Sequence, residues 1–134
     1  MKNKLLFFSL ISAGVLLLDQ GIKLFILKGN FSYTTNTGAG FGILPDTSSV
    51  LVWISIFVLG IILYHHDKLA KEDKFLHFST ALLFGGTLGN LIDRVRLRYV
   101  IDFIDLGFWP SFNIADLAIT AGAIGLLIYS FRKK

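Results

Sequence analysis

The 134-residue sequence contains no cysteine. That excludes disulfides, thiolate chemistry and cysteine-based metal sites. Charge is scarce as well. Asp, Glu, Lys and Arg make up 16% of the chain, against about 25% in an ordinary soluble domain. No internal repeat and no low-complexity tract is visible. No polar connection is long enough to form a soluble domain of its own. What fills the chain is apolar: 54% of it is hydrophobic, with 13 Phe. The length suits one domain, residues 1–134. The composition predicts an integral membrane protein.

Four apolar stretches run over residues 5–27, 47–64, 75–92 and 110–131. A helix needs roughly 20 residues to cross the hydrocarbon core, within a range of about 17–25. All four fit, so the expected fold is an all-α membrane protein with four transmembrane helices. Lys2 and Lys4 precede the first stretch; Lys68, Lys71 and Lys74 separate the second from the third; Arg132, Lys133 and Lys134 follow the fourth. An excess of Lys and Arg marks the cytoplasmic side. Both termini are therefore expected in the cytoplasm, and residues 30–46 and 94–109 outside it. The first stretch resembles a secretory signal peptide in its flanking lysines. It ends in Leu16-Leu17-Leu18-Asp19-Gln20 and not in small residues, so an uncleaved helix is expected.

The loop after the first stretch is rich in Thr, Gly, Asn and aromatics. Phe31-Ser32-Tyr33-Thr34-Thr35 has strand composition and predicts a small extracytoplasmic β element on the membrane surface. Asn36 opens a Gly-rich run at Gly38, Gly40 and Gly42. Taken alone this is ordinary turn chemistry.

Polar residues inside apolar stretches carry the functional signal. Asp19 and Lys23 stand i, i+4 with the acid first, the favourable order for a helix ion pair. A structural pair is the simpler reading of these two. Gly85-Gly86-Thr87-Leu88-Gly89 permits close helix packing. Asn90, Asp93 and Arg94 follow it and read as a polar network beside a site; the plain alternative is helix packing plus a terminal ion pair of Asp93 and Arg94. Arg96 and Arg98 lie in the following loop, suited either to headgroup anchoring or to substrate oxygens. His65, His66 and Asp67 lack a converging further ligand, so no metal site is expected there. His77 reads as a packing residue.

Asp102 and Asp116 carry the sharper hypothesis. Asp102 lies in the alternating segment Ile101-Asp102-Phe103-Ile104 before the fourth helix. Asn113 and Asp116, i, i+3, are expected to share a face of that helix. Two carboxylates that meet share a proton. The ionised member can then deprotonate a water, and the protonated member can donate to the carbonyl oxygen of a scissile amide. The bland alternative is a pair of helix-cap or ion-pair carboxylates, the role expected of neighbouring Asp105.

Asp19 with Lys23, Asn36-x-Gly38 with Phe41, Gly89-Asn90-x-x-Asp93-Arg94, Val100-x-Asp102-Phe103 and Phe112-Asn113-x-Ala115-Asp116 occur in this order. The ordered set resembles the lipoprotein signal peptidase (signal peptidase II) family of bacteria and covers most of the chain. Gly40 departs from the family's usual Ala, and the outer loops are short. The resemblance implies a four-helix aspartic peptidase of the bacterial inner membrane, without metal or cofactor. Its loop at 30–46 would form a β-cradle over the substrate. Its catalytic pair would be Asp102 and Asp116. Asn36, Asn90, Arg94 and Asn113 would line the site, and Asp19, Lys23 and Asp93 would support it. The implied substrates are diacylglyceryl-modified prolipoproteins, cut N-terminal to the modified cysteine, with membrane phospholipid as the other partner. No nucleic-acid partner is expected, and a monomer suffices. Two readings compete: a small carboxylate-relay transporter, disfavoured by the absent repeat, and a catalytically dead membrane anchor, disfavoured by the two aspartates.

Overall fold

The computed structural model describes residues 2–38, 47–65 and 73–132. Four helices form among the described residues: α1 (Lys2–Lys28), α2 (Ser48–Tyr64), α3 (Lys74–Leu97) and α4 (Ile114–Arg132). Two short strands, β1 (Thr34–Asn36) and β2 (Val100–Asp102), pair antiparallel with Thr34 opposite Asp102 and Asn36 opposite Val100. Three helices, α1, α3 and α4, are long and apolar enough to cross a membrane. The 17-residue α2 is shorter and uncharged, at the lower end of the spanning range of about 17–25 residues.

The distribution of side chains is that of a membrane protein. Large apolar residues point outward: Trp53 is 72% and Phe57 68% exposed on α2. The buried set includes Ser12, Asp19, Lys23, Thr87, Asn90, Asp93 and Asn113. Lipid tails solvate Leu and Phe as well as a protein core does, so burying them gains little; polar groups must instead be turned inward and paired.

Helix α3 is the central element and packs against α1, α2 and α4. Its glycines set the distances. A Cβ added at Gly86 would lie 2.5 Å from the Ala115 carbonyl oxygen of α4, and one at Gly85 would lie 2.6 Å from the Ser12 carbonyl oxygen of α1. Neither backbone can retreat as a flexible side chain would. The small-residue run read in the sequence therefore brings α1 and α4 onto adjoining faces of α3 at near-backbone contact.

Element boundaries differ from the sequence expectation in informative ways. Helix α3 runs past residue 92 to Leu97, because Asp93 and Arg94 find partners inside the protein and need not leave for water. Arg96 thus lies on α3, and Arg98 caps it in a left-handed conformation, φ 71°. Helix α4 starts at Ile114 and not at residue 110. Phe112 is held by two backbone hydrogen bonds to Ile104, and Asn113 is the residue before the first turn. Asn113 therefore caps α4 and does not share a face of it with Asp116. The strand falls at Thr34–Asn36, later than the strand-like run at 31–35, because its register is set by Val100–Asp102. Gly40, Phe41, Gly42, His66, Asp67, Lys68 and Lys71 lie outside the described residues.

The close approach at Gly86 yields a test. Gly86→Leu should destabilise the fold by at least the ~1–3 kcal/mol typical of overpacking. The expected readout is a clear fall in Tm in detergent, with no comparable fall for Gly60→Leu, where a Cβ meets nothing within 4 Å.

Candidate active site

Lys23 lies at the bottom of the site. Its ammonium is almost fully buried, 2.7 Å from Asp19 Oδ2 and 2.8 Å from Asp93 Oδ2, and it donates to Asn90 Oδ1 at 3.3 Å. All three of its donors are used. Asp93 pairs with this lysine from α1 and not with its neighbour Arg94. The expected Asp19–Lys23 pair is present and is part of a three-residue cluster with Asp93. Gln20, given no role in the sequence beyond its place in Leu16-Leu17-Leu18-Asp19-Gln20, completes it. Its amide donates to Asp93 Oδ1 at 2.9 Å, Asp19 Oδ2 at 3.3 Å and the Gly89 carbonyl at 3.2 Å. Its signal was an amide beside a carboxylate in an otherwise apolar helix.

The two carboxylates of the cluster also reach outward to backbone amides. Asp19 Oδ1 accepts from the Ala115 amide at 2.9 Å, and Asp93 Oδ2 from the Ile101 amide at 3.2 Å. The first bond satisfies an otherwise orphaned N–H in the opening turn of α4. The second fixes β2 one residue before Asp102.

Asn113 then joins the two aspartates. Its side chain donates to Asp102 Oδ1 at 2.8 Å, to Asn90 Oδ1 at 3.1 Å and to the Ile101 carbonyl at 3.3 Å. Its Oδ1 accepts from the Asp116 amide at 2.8 Å, while its own amide donates to Asp116 Oδ2 at 3.2 Å. These last two bonds are a reciprocal helix cap with Asp in the third helical position. Asn90 supplies the other contact to Asp116, Nδ2 to Oδ1 at 2.8 Å. Asn36 supplies the other contact to Asp102, Nδ2 to Oδ2 at 3.1 Å, while its Oδ1 accepts from the Gly38 amide at 3.0 Å.

Arg94 is buried and donates to the Gly38 carbonyl at 3.2 Å, within Coulombic reach of Asp116, Asp102 and Asp93; its Nε is buried without a hydrogen-bond partner among the described residues. All nine residues singled out in the sequence therefore converge: Asp102, Asp116, Asn36, Asn90, Arg94, Asn113, Asp19, Lys23 and Asp93. Arg96 and Arg98 do not join them and are exposed. Asp105 is neither cap nor ion pair; it accepts from the Gly107 amide at 2.8 Å in an exposed turn.

Burial is the main reason the Asp102 carboxyl is pushed up from 3.8 to about 6, and the neighbouring Asp116 charge adds to it; Asn36, Asn113 and Lys23 pull the other way. Two carboxylates close enough to repel, each held by amide donors, form a unit that can keep one proton near neutral pH.

Two outcomes follow. Lys23→Met leaves Asp19 and Asp93 buried without their counter-charge, and breaking a buried pair from one side typically costs about 3–5 kcal/mol. Its Tm in detergent should collapse; a near-wild-type Tm would contradict the role given to Lys23. For Asp102 the folded-state pKa lies above the ordinary value, so its stabilising contribution is complete below about 4 and is lost as the pH rises through about 6. Asp102→Asn should thus gain Tm relative to the wild type between pH 4 and pH 8, whereas a pH-independent difference would contradict the shift.

Comparison with known proteins agrees with this geometry. Residues 11–132 match the sequence profile of the family described as Signal peptidase (SPase) II. The chain is 35% identical to the lipoprotein signal peptidase of Halothermothrix orenii, covering 90% of this chain and 92% of that protein. It is 40% identical to that of Moorella thermoacetica, covering 87% of each. A solved bacterial membrane enzyme, determined in meso at 2.3 Å, superposes with a TM-score of 0.85 at 32% identity over 94% of this chain and 88% of its own. A second, at 1.9 Å, superposes with a TM-score of 0.80 at 31% identity over 96% and 94%. Profile, relatives and fold coincide over nearly the whole length, and the chain belongs to the signal peptidase II family.

Proposed function

We propose that this chain is a membrane aspartic endopeptidase that removes signal peptides from prolipoproteins, with Asp102 and Asp116 as its catalytic pair. Family membership makes it a protease of prolipoprotein signal peptides. The aspartic mechanism rests on one observation above all: Asn113 hydrogen-bonds both carboxylates at once.

In the proposed step, a water sits between the two carboxyl groups and the scissile carbonyl. The ionised carboxylate takes a proton from the water as its oxygen attacks the carbonyl carbon. The protonated carboxyl gives its proton to the carbonyl oxygen, producing a neutral tetrahedral diol. Collapse re-forms the carbonyl and breaks the C–N bond, with one proton passing to the leaving nitrogen; the pair again holds one proton. The amides of Asn36, Asn90 and Asn113 hold the carboxylates in place through these transfers. Arg94, with an unpartnered buried Nε, is suited to an oxygen of the substrate backbone.

The proposed substrate is a prolipoprotein whose cysteine already carries diacylglycerol, cut on the N-terminal side of that residue. Its acyl chains would stay in the bilayer and its signal helix against the bundle. The chain is read as one domain, a monomer in the bacterial inner membrane among phospholipids. Both termini would be cytoplasmic and the site would lie at the extracytoplasmic face, as the excess of basic residues beside Lys4, Lys74 and Arg132 supports. A carboxylate-relay transporter is not favoured, because Asp116 lies in the first turn of α4 and Asp102 on a strand, at one end of the bundle and not at its midplane.

Asp102→Asn and Asp116→Asn, each checked for folding in detergent, should lower processing of a diacylglyceryl-modified prolipoprotein by on the order of 10²–10⁴-fold, the usual contribution of general acid–base catalysis. Wild-type processing by either folded variant would end the assignment.

A further inference from the structure

The segment between Asp102 and Asn113 carries a feature that the chemistry leaves unused. Ile104 and Phe112 pair through two backbone hydrogen bonds of 2.9 and 3.0 Å, closing a hairpin-like stem. Thr34 Oγ1 and Ser111 Oγ, 3.0 Å apart, fasten that stem to β1. At the tip, the Asp105 carboxylate holds the Gly107 amide, and Gly107 takes φ 77°, a left-handed turn that other residues adopt only with strain. The turn presents Phe108 at 83% exposure, with Leu106 and Trp109 at 50% each. Such a cluster on a polar-rimmed loop marks an interaction surface.

We propose that residues 105–110 form an interfacial wedge that docks into the outer leaflet of the phospholipid bilayer. The occupant follows from three observations. The tip joins the lipid-facing surface through the chain itself: Pro110 to Asn113 lead directly into α4, whose exposed Leu117 lies one turn further on. Its composition pairs Trp with Phe and Leu, and Trp favours the headgroup boundary, where one edge of the ring is wet and the other apolar. Arg96 and Arg98 are exposed on the same side of the bundle, and their charge complements anionic headgroups.

The stem makes this docking a positioning device. Ile104 is two residues after Asp102, and Phe112 directly precedes Asn113. The depth of the tip therefore sets the depth of the two carboxylates relative to the lipid surface. That second half rests on the proposed peptidase reading; the docking itself does not.

The test uses the fact that the sequence has two Trp, Trp53 and Trp109. Trp53→Phe leaves Trp109 as the only tryptophan of the full-length protein. Reconstituted into phosphatidylcholine–phosphatidylglycerol vesicles without substrate, its emission should be quenched more by lipids brominated high on the acyl chain than by lipids brominated near its end. It should also resist aqueous iodide. Strong iodide quenching with no effect of brominated lipid overturns the wedge, as does stronger quenching by the deep bromines. For the positioning role, Leu106→Ser with Phe108→Ser should slow prolipoprotein processing in vesicles on the order of tenfold, the scale of a small misplacement of reacting groups. The rate in detergent micelles should stay unchanged. Equal loss in both settings, or none in either, overturns that role. If the wild type itself processes nothing, the peptidase reading fails while the quenching result still stands.

Discussion

The end of the bundle that carries Asp102 and Asp116 depends on neutralising one ammonium group, that of Lys23. A lone cation at that depth would be expelled or deprotonated, and a lone carboxylate protonated. Asp19 from the same helix and Asp93 from α3 remove the problem for each other, and in doing so they tie α1 to α3. The same carboxylates reach the Ala115 amide, through the second oxygen of Asp19, and the Ile101 amide, through the Asp93 oxygen that also faces Lys23. One ion cluster thus fixes the start of α4 and the strand that carries Asp102. Few other contacts could do this, since apolar packing between helices gains little when lipid offers the same environment.

Close packing and polar pairing reinforce each other here. Gly85 and Gly86 let α1 and α4 approach α3 to backbone contact. At Gly89 an added Cβ would meet Asp19 Oδ2 at 2.9 Å, so the absence of a side chain makes room for the carboxylate of the ion cluster. Glycine here serves the electrostatics as much as the packing.

The same logic explains how Asp102 and Asp116 persist. Burial makes Asp102 resist ionisation, and both aspartates accept amide donors that hold them in place. Asn113 belongs to both, and its capping of α4 means that the helix start and the arrangement of the pair cannot change independently. Asp116 is therefore a helix-capping carboxylate and a member of the proposed catalytic pair at once; the bland reading and the functional one describe the same bonds.

Composition alone determined that this is a helical membrane protein, because a chain so poor in charge has too little polar surface to remain in water. The order of the polar motifs identified the family and named nine candidate residues that the fold brings together, since a charged or amide side chain in an apolar run stays only where it has a use. The sequence could not decide partners. It offered Arg94 as a partner for Asp93 only because they are adjacent, placed Asn113 on a helix face because the spacing allowed it, and passed over Gln20. Those assignments turn on which side chain arrives from a distant helix. Lys23 reaches Asp93 across about seventy residues of chain, and Asn36 meets Asp102 only because β1 pairs with β2. Local pattern fixes which residues must be buried and paired; only the packed bundle decides with whom, because the choice is set by the shortest approach between helices whose glycines let them touch.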